Sequence, residues 1–399
     1  MMSFDEAFSA VLHHKIELGI EEVDLLQSTG RVLAEDILAD RDFPPFDRAT
    51  KDGIAINFSV IEKGLKKLRI EAVVSAGMPQ QKLGDIKNCV EIMTGAVVPQ
   101  NADTVIMYEH LDIKDGYSNI SRDVKKGQDI HKKGSDVKTG TVLLKKHTKI
   151  GPSQIGVLAS VGKSKILVRQ LPKVCVISTG NELVDVSQIP LPHQIRKSNI
   201  LSLFTALEKE GIEADRIHLQ DDKESIKKEL SHILEEFDVV MLSGGVSKGK
   251  FDFIPEVMES LDVRKVFHRV AQRPGKPFWF GTQTKLNTVV FSFPGNPVST
   301  FANYHIYFLP WLNVSLGQED KKYQVVLDDT IEIKPPLTRF IQVKTYLDEG
   351  NFHVRIIREN GSGDLTSLAN SNGFICLRPR ENAYEKGELV PFIASKTII

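Results

Sequence analysis

From Val174 to the segment beyond Pro297, short apolar runs alternate with amphipathic stretches, and this alternation constrains the chain more than any other feature. Val174 to Ile177 reads as a strand, Asn199 to Glu210 as a helix closed by Gly211, and Lys223 to Glu236 as another helix. Val239 to Leu242 and Val289 to Phe293 read as further strands, and a helix follows Pro297. Strands and helices in alternation predict a three-layer α/β domain with a mainly parallel sheet over residues 169–317.

The remaining sequence follows other patterns, as expected for 399 residues, two to four times the usual domain length. Ser3 followed by Glu6 is a capping-box pattern, and Phe4, Ala7, Phe8, Val11 and Leu12 recur at helical spacing, so the first element is an amphipathic helix. A second helical stretch is expected from Ser28-Thr29-Gly30-Arg31, before Phe43-Pro44-Pro45-Phe46-Asp47 interrupts regular structure. Over residues 41–140, alternating runs such as Leu68 to Val74, Cys89 to Met93 and Thr104 to Met107 predict a mostly β module. A helix from Pro152 to Val161, packed on the N-terminal helices, makes that module an insertion into a helical part formed by 1–40 and 141–168. Beyond residue 317, Tyr323 to Leu327, Phe340 to Tyr346, His353 to Ile357, Phe374 to Leu377 and Leu389 to Ile393 read as strands with no helix among them, a small β domain over 318–399.

Charge narrows the function. Lys plus Arg number 51 against 52 Asp plus Glu, a formal charge of -1, so no global field favours nucleic acid or an anionic membrane, and an anion must be held locally. Cys89, Cys175 and Cys376 lack metal-ligand or disulfide spacing and read as buried small hydrophobes. No basic leader opens the sequence and no apolar run approaches a membrane span, so a cytoplasmic address is expected.

In open α/β sheets ligands bind outside the carboxyl ends of strands, which directs attention to three loops. The first is Ser178-Thr179-Gly180-Asn181-Glu182, the second runs from Ser243-Gly244-Gly245 through Ser247 to Asp252, and the third is Pro294-Gly295-Asn296-Pro297. Glycines at 244, 245 and 249 permit positive φ and close approach of N–H groups to an anion, as a phosphate cradle requires; a tight turn is the plainer alternative. Gly244, Gly249 and Lys250 also fit a P-loop pattern, but Phe251 stands where a hydroxyl would hold magnesium, which leaves a nucleoside triphosphatase as an alternative. Asn296 is placed to cap a helix with Pro297 as its first residue. Arg273-Pro274-Gly275-Lys276-Pro277 presents two cations on a stiffened turn, suited to an oxyanion. The carboxylates Asp52, Asp136, Glu182, Asp221 and Asp252 add hard oxygen donors for Mg²⁺ and a candidate base.

These residues, with Pro44-Pro45-Phe46-Asp47, Asp52-Gly53, Ile92-Met93-Thr94-Gly95-Ala96, Gly134-Ser135-Asp136 and Ser198-Asn199, resemble the molybdopterin molybdenumtransferases, the MoeA and gephyrin E-domain family. The resemblance implies a multidomain α/β plus β fold with a MogA-like molybdopterin-binding domain. It also implies the last step of molybdenum cofactor synthesis: adenylylated molybdopterin and molybdate give molybdenum-molybdopterin and AMP, assisted by Mg²⁺. It assigns Glu182, Asp221 and Asp252 to metal and water, with base and ligand not distinguished, and adds Asp52, Thr94 and Asp136 from the β module. Ser178, Thr179, Gly180, Gly244, Gly245, Ser247 and Pro294 to Pro297 would hold the substrate, and Arg273, Lys276 and Ser362 the molybdate. An elongated homodimer with a shared active site is implied, with the upstream molybdopterin adenylyltransferase as a further partner. The chain departs from the family pattern at Arg48-Ala49-Thr50-Lys51 and Ile54, carries Arg273 for a common Lys, and blurs a signature around Thr338-Arg339-Phe340, which leaves Arg339 without a role. A non-catalytic, gephyrin-like scaffold is the alternative from another class; the retained carboxylates and cations and the lack of a long disordered linker weigh against it.

Overall fold

The computed structural model describes residues 1–246, 253–333 and 337–396. The chain forms two compact units, Asp24–Thr29 with Glu35–Ile166, and Met1–Val23 with Gly30–Ala34 and Leu167–Ile399.

The larger unit is built on a six-stranded sheet containing β1 (Val174–Thr179), β2 (Ala214–Leu219), β3 (Val239–Ser243), β4 (Arg264–His268), β6 (Trp279–Gln283) and β7 (Thr288–Phe293). The short strand β5 (Gln272–Arg273) leaves this sheet for another. The order is β2-β1-β3-β7-β6-β4, parallel through β7 and antiparallel in the last two. Every residue of β1, β3 and β7 is buried, which is why their sequences are apolar runs rather than alternations.

Side chains of successive strand residues leave on opposite faces. Val174 and Val176 meet Ile200, Leu203 and Leu207 of α2 (Asn199–Lys209). Cys175 and Ile177 meet Ile226, Leu230 and Ile233 of α3 (Lys223–Glu236) and Val257 of α4 (Ile254–Ser260). The expected three layers are therefore present. Because β1 has β2 on one side and β3 on the other, the chain reverses its winding direction there, and a crevice opens at the carboxyl ends of β1 and β3.

The first layer includes α1 (Phe4–His13), started by the predicted box: Ser3 N donates to Glu6 Oε2 at 2.9 Å and Glu6 N to Ser3 Oγ at 3.3 Å. Residues 1–23, grouped in sequence with 141–168, fold with the larger unit because Phe4, Ala7 and Val11 are buried in its core. After α5 (Pro297–Asn303), one π-helical turn (Tyr304–Phe308) leads into α6 (Leu309–Ser315).

The C-terminal strands are β8 (Tyr323–Leu327), β9 (Thr338–Asp348), β10 (Asn351–Ile356), β11 (Gly373–Leu377) and β12 (Leu389–Ala394). They pair in the order β9-β10-β8-β12-β11, and β11 returns to β9, closing a small barrel around Leu327, Val343, Val354 and Phe392. β5 attaches outside that ring, parallel to β9. One helix stands where none is expected, α7 (Leu365–Asn370). Asp364 Oδ1 accepts from Thr366 N and Ser367 N at its start, and six residues are too few to display a helical period.

The smaller unit holds a mixed sheet in the order Thr104–Met107, Gly53–Ile56, Cys89–Ile92, Lys67–Val74, Tyr117–Ile120, Leu111–Lys114. Ala55, Val90 and Val105 pack on one face and Ile54, Cys89 and Ile106 on the other, in keeping with a mostly β module. The helix expected from Ser28 does not form. A 3₁₀ turn, Leu25–Ser28, precedes Gly30 at φ +83°, a left-handed conformation that no helix continues through. Helix Pro152–Ser160 starts at proline as expected. All three cysteines are buried, and burial pushes each thiol up to about 12. Among the described residues no helix is long and apolar enough to cross a membrane.

Candidate active site

The carboxyl ends of β1, β3 and β7 carry the three loops singled out in the sequence. Gly244 follows β3 at φ +103°, and a Cβ there would lie 3.0 Å from Thr179 Oγ1 and 3.2 Å from Thr179 O. At Gly245, φ +71°, it would lie 2.7 Å from Ile254 Cγ1. Glycine is thus required by conformation and by space, and the backbone is exposed to whatever enters. A Cβ on Gly295 would sit 3.8 Å from Gly244 Cα, so the loop after β7 lies against the loop after β3.

Asn199, the first residue of α2, binds these loops together. Its Nδ2 donates to Ser243 Oγ at 2.9 Å and Gly295 O at 2.7 Å, with a longer approach of 3.4 Å to Thr300 Oγ1. The result is a cleft of about 860 Å³ lined by Ser178, Thr179, Gly180, Glu182, Asp221, Gly244, Gly245 and the whole Pro294–Pro297 turn. Asn296 does not cap α5 through its side chain. Its Nδ2 donates instead to Ser362 Oγ at 2.7 Å, which brings Ser362 to the rim, while Pro297 begins the helix as expected.

Glu182 and Asp221 are the carboxylates of the cleft among the described residues. The loops bearing them are tied reciprocally: Asp221 N donates to Asn181 Oδ1 at 3.2 Å and Asn181 N to Asp221 Oδ2 at 3.4 Å. Ser178 Oγ lies 3.0 Å from His218 Nδ1, and burial, with the Lys197 charge adding to it, lowers the His218 pKa. Ser247, Asp252 and the P-loop-like stretch through Phe251 lie outside the described residues. Within those described, no three His, Cys, Asp or Glu side chains cluster as a metal site. Two carboxylates facing a phosphate-sized space still fit Mg²⁺, which commonly takes one or two protein carboxylates and completes its shell with substrate oxygens and water.

The Arg273–Pro277 turn is held from below by groups the sequence reading did not identify. Gln272, Asn303 and Tyr307 are fully buried. Gln272 Nε2 donates to Pro274 O at 3.0 Å and Asn303 Oδ1 at 2.9 Å, and Tyr307 Oη donates to Gln272 Oε1. Asn303 and Tyr307 signal themselves as polar groups in a largely apolar stretch, whereas Gln272, beside Arg273, gives no such signal. Pro277 reaches the cleft; Arg273 and Lys276 are exposed and are not among its described lining residues. In the β5–β9 pairing Arg273 is the register partner of Arg339, which gives Arg339 a location. Burial, then Arg273, lowers the Arg339 pKa against an opposing Glu359, and its buried Nε has no partner among the described residues.

Asp52, Thr94 and Asp136 lie in the smaller unit. Thr94 N and Oγ1 donate to Asp52 Oδ1 at 2.6 and 2.7 Å and hold its pKa down. Arg48 Nη2 lies 3.1 Å from His131 Nδ1, and Arg can only donate, so the Nε2 of neutral His131 carries the proton and donates to Asp136 Oδ1 at 2.7 Å. The sequence reading did not anticipate that His131 would hold Asp136.

A larger cleft of about 1190 Å³ lies elsewhere in the larger unit, beside Phe8, Tyr304, His305 and Asp320. Burial pushes His305 down to about 4 and raises Asp320. None of the three strand-end loops contributes a described residue to its walls, so the chemistry is assigned to the smaller cleft.

Residues 2–162 match the family model for the MoeA N-terminal region (domain I and II), 175–314 a probable molybdopterin binding domain, and 324–394 the MoeA C-terminal region (domain IV). A molybdopterin molybdenumtransferase of Synechocystis sp. is 38% identical over 398 residues, 99% of this chain and 100% of that protein. One from Staphylococcus epidermidis is 30% identical over 408 residues, 99% and 96% of the two chains. Two Pyrococcus horikoshii structures of molybdopterin biosynthesis MoeA proteins align with TM-scores of 0.83 and 0.84 at 33% and 30% identity, covering 100% and 99% of this chain and 100% of each of theirs. With similarity running the full length in both sequence and a multidomain α/β plus β architecture, the chain belongs to the molybdopterin molybdenumtransferase family.

Proposed function

We propose that this chain inserts molybdate into adenylylated molybdopterin, releasing AMP and leaving molybdenum-molybdopterin, the last step of molybdenum cofactor biosynthesis. One observation carries the reading: three strand-end loops meet at one cleft that offers a glycine backbone for phosphate and two carboxylates beside it.

The Gly245 N–H holds a substrate phosphate, while Gly244, whose own N–H donates to Phe293 O at 3.1 Å, lets the phosphate approach the backbone closely, with Thr179 packed against both glycines. Ser178, Gly180 and the Pro294–Pro297 turn shape the remaining wall, and Ser247 and Asp252, which follow Gly245 in the sequence, are assigned to the same substrate. Glu182, Asp221 and Asp252 supply the carboxylates that would hold Mg²⁺; when bound, the ion neutralises charge on the phosphate oxygens. The carboxylate left free accepts a proton from the water that attacks the phosphate. Molybdate, a tetrahedral dianion, goes to Arg273, Lys276 and Ser362, and Arg339 joins this group because its register with Arg273 makes a paired cationic surface that an oxyanion relieves.

A homodimer, in which Asp52, Thr94 and Asp136 of one copy serve the cleft of the other, completes the proposal. The upstream adenylyltransferase supplies the substrate, and a cytoplasmic location follows. The test mixes the purified chain with adenylylated molybdopterin, Mg²⁺ and either molybdate or tungstate, and measures AMP. AMP release that depends on the oxyanion supports the reaction; none from folded protein removes it and restores the scaffold.

A further inference from the structure

Among the described residues lining the cleft, two are cations, Arg196 and Lys197. Arg196 is exposed and its Nε donates to Gln188 O at 3.1 Å, which turns the guanidinium along its own loop. Lys197 differs, with a side chain only 17% exposed. Its N donates to Val184 O at 3.0 Å, directly after the parallel pairing of Leu183–Val184 with Ile195–Arg196. That pairing places Lys197 on the same scaffold as Glu182, whose carbonyl accepts from Ile195 N at 2.9 Å.

The Lys197 ammonium donates to Asp185 Oδ1 at 3.1 Å, but Asp185 is 68% exposed and does not line the cleft. Such a pair with a solvated carboxylate contributes little, and a buried lysine stem leaves the head free to turn. An arriving phosphate oxygen can therefore displace Asp185 at small cost. Ser178 lines the same cleft, and its hydroxyl lies 3.0 Å from His218 Nδ1. Lys197 and Ser178 thus line one cleft together.

We propose that Lys197, with Ser178 held by His218, receives the second phosphate of a diphosphate-bridged substrate whose first phosphate occupies the Gly244–Gly245 cradle. The inference rests on the phosphate-binding reading of the cleft and adds the reason it distinguishes a diphosphate from a monophosphate. Once the bridge is cut, each product keeps one of the two contacts, which favours its departure.

The test is isothermal titration calorimetry of the full chain with inorganic pyrophosphate and, separately, inorganic phosphate, in Mg²⁺ buffer. Lys197→Met keeps the buried stem and removes the charge; pyrophosphate binding should weaken roughly tenfold or more, while phosphate binding changes less than about twofold. Lys197→Arg should retain the preference, and Asp185→Asn, which frees the ammonium, should bind pyrophosphate at least as tightly as the parent. Equal weakening of both ligands, no change in Lys197→Met, or a loss in Asp185→Asn matching that in Lys197→Met overturns the assignment. If the parent binds neither anion, the phosphate-cleft reading itself fails; if it binds pyrophosphate and Lys197→Met binds it equally, only the role of Lys197 fails.

Discussion

Replacing Gly275 by alanine tests whether the turn carrying Arg273 and Lys276 is rigid. Gly275 has φ +88°, and a Cβ there would stand 2.3 Å from Asn303 Oδ1 and 2.8 Å from Gln272 Nε2. Both partners are fully buried and bonded to each other, so neither can swing into solvent. Positive φ costs alanine about 1–2 kcal/mol. Displacing Asn303 also breaks its 2.9 Å bond from Gln272 and the 3.4 Å bond from its own Nδ2 to Gly275 O, leaving buried groups unpaired at about 1–3 kcal/mol. Gly350 is the control: it has φ +82° and a Cβ there would meet nothing within 4 Å, so its alanine variant incurs the conformational cost alone. Urea unfolding of the two variants against the parent should place Gly275→Ala about 2 kcal/mol or more below Gly350→Ala. AMP release should be lost in the first and retained in the second. Two variants of equal stability would show that Asn303 moves aside freely, and would refute the rigid-turn argument.

Glu182→Gln and Asp221→Asn should each leave the unfolding midpoint unchanged and lower AMP release by roughly 100-fold, the usual size of a lost acid–base or charge contribution; unchanged rates in both would remove them from the chemistry. Asn199→Ala deletes the donor shared by Ser243 and Gly295 and should cost about 1–3 kcal/mol in urea unfolding, with activity reduced more than in an exposed-site control. His305 is held near 4 against an unfolded value of 6.5, so between those values the unfolded chain takes up a proton that the native chain does not. Stability is therefore present above pH 6.5 and falls as pH drops toward 4, by about 2–3 kcal/mol, and His305→Asn should flatten that slope in urea midpoints measured at both ends of the window.

The strands of the larger unit were legible because burial on both faces writes itself as an apolar run, and the strand-end loops because glycine and proline mark turns. What joins the loops was not legible. Asn199 reaches Gly295 across 96 positions and Gln272 reaches Asn303 across 31, and composition holds no record of which distant polar atoms meet. The Arg273–Arg339 pairing depends on β5 leaving one sheet for another, which a two-residue strand cannot announce. Asn296 looked like a cap, yet its side-chain oxygen accepts no bond from the helix start and its Nδ2 donates to Ser362 Oγ, an orientation set by tertiary proximity. The role of His131 followed only once Arg48 and Asp136 were seen on either side of its ring.

The closed barrel is not a detachable appendage. Its strand β9 supplies the hydrogen-bonding edge for β5, and Phe340, Phe374 and Cys376 from β9 and β11 complete the core around α1, where Phe340 meets Phe4 with ring centroids 5.1 Å apart. A chain cut after residue 317 would leave Gln272–Arg273 without its partner strand and strip one wall from the aromatic core. Exchange of this barrel among relatives is accordingly constrained by two seams at once, one of backbone register and one of aromatic packing, and a chimera that matches only the first should fold with a loosened N-terminal helix.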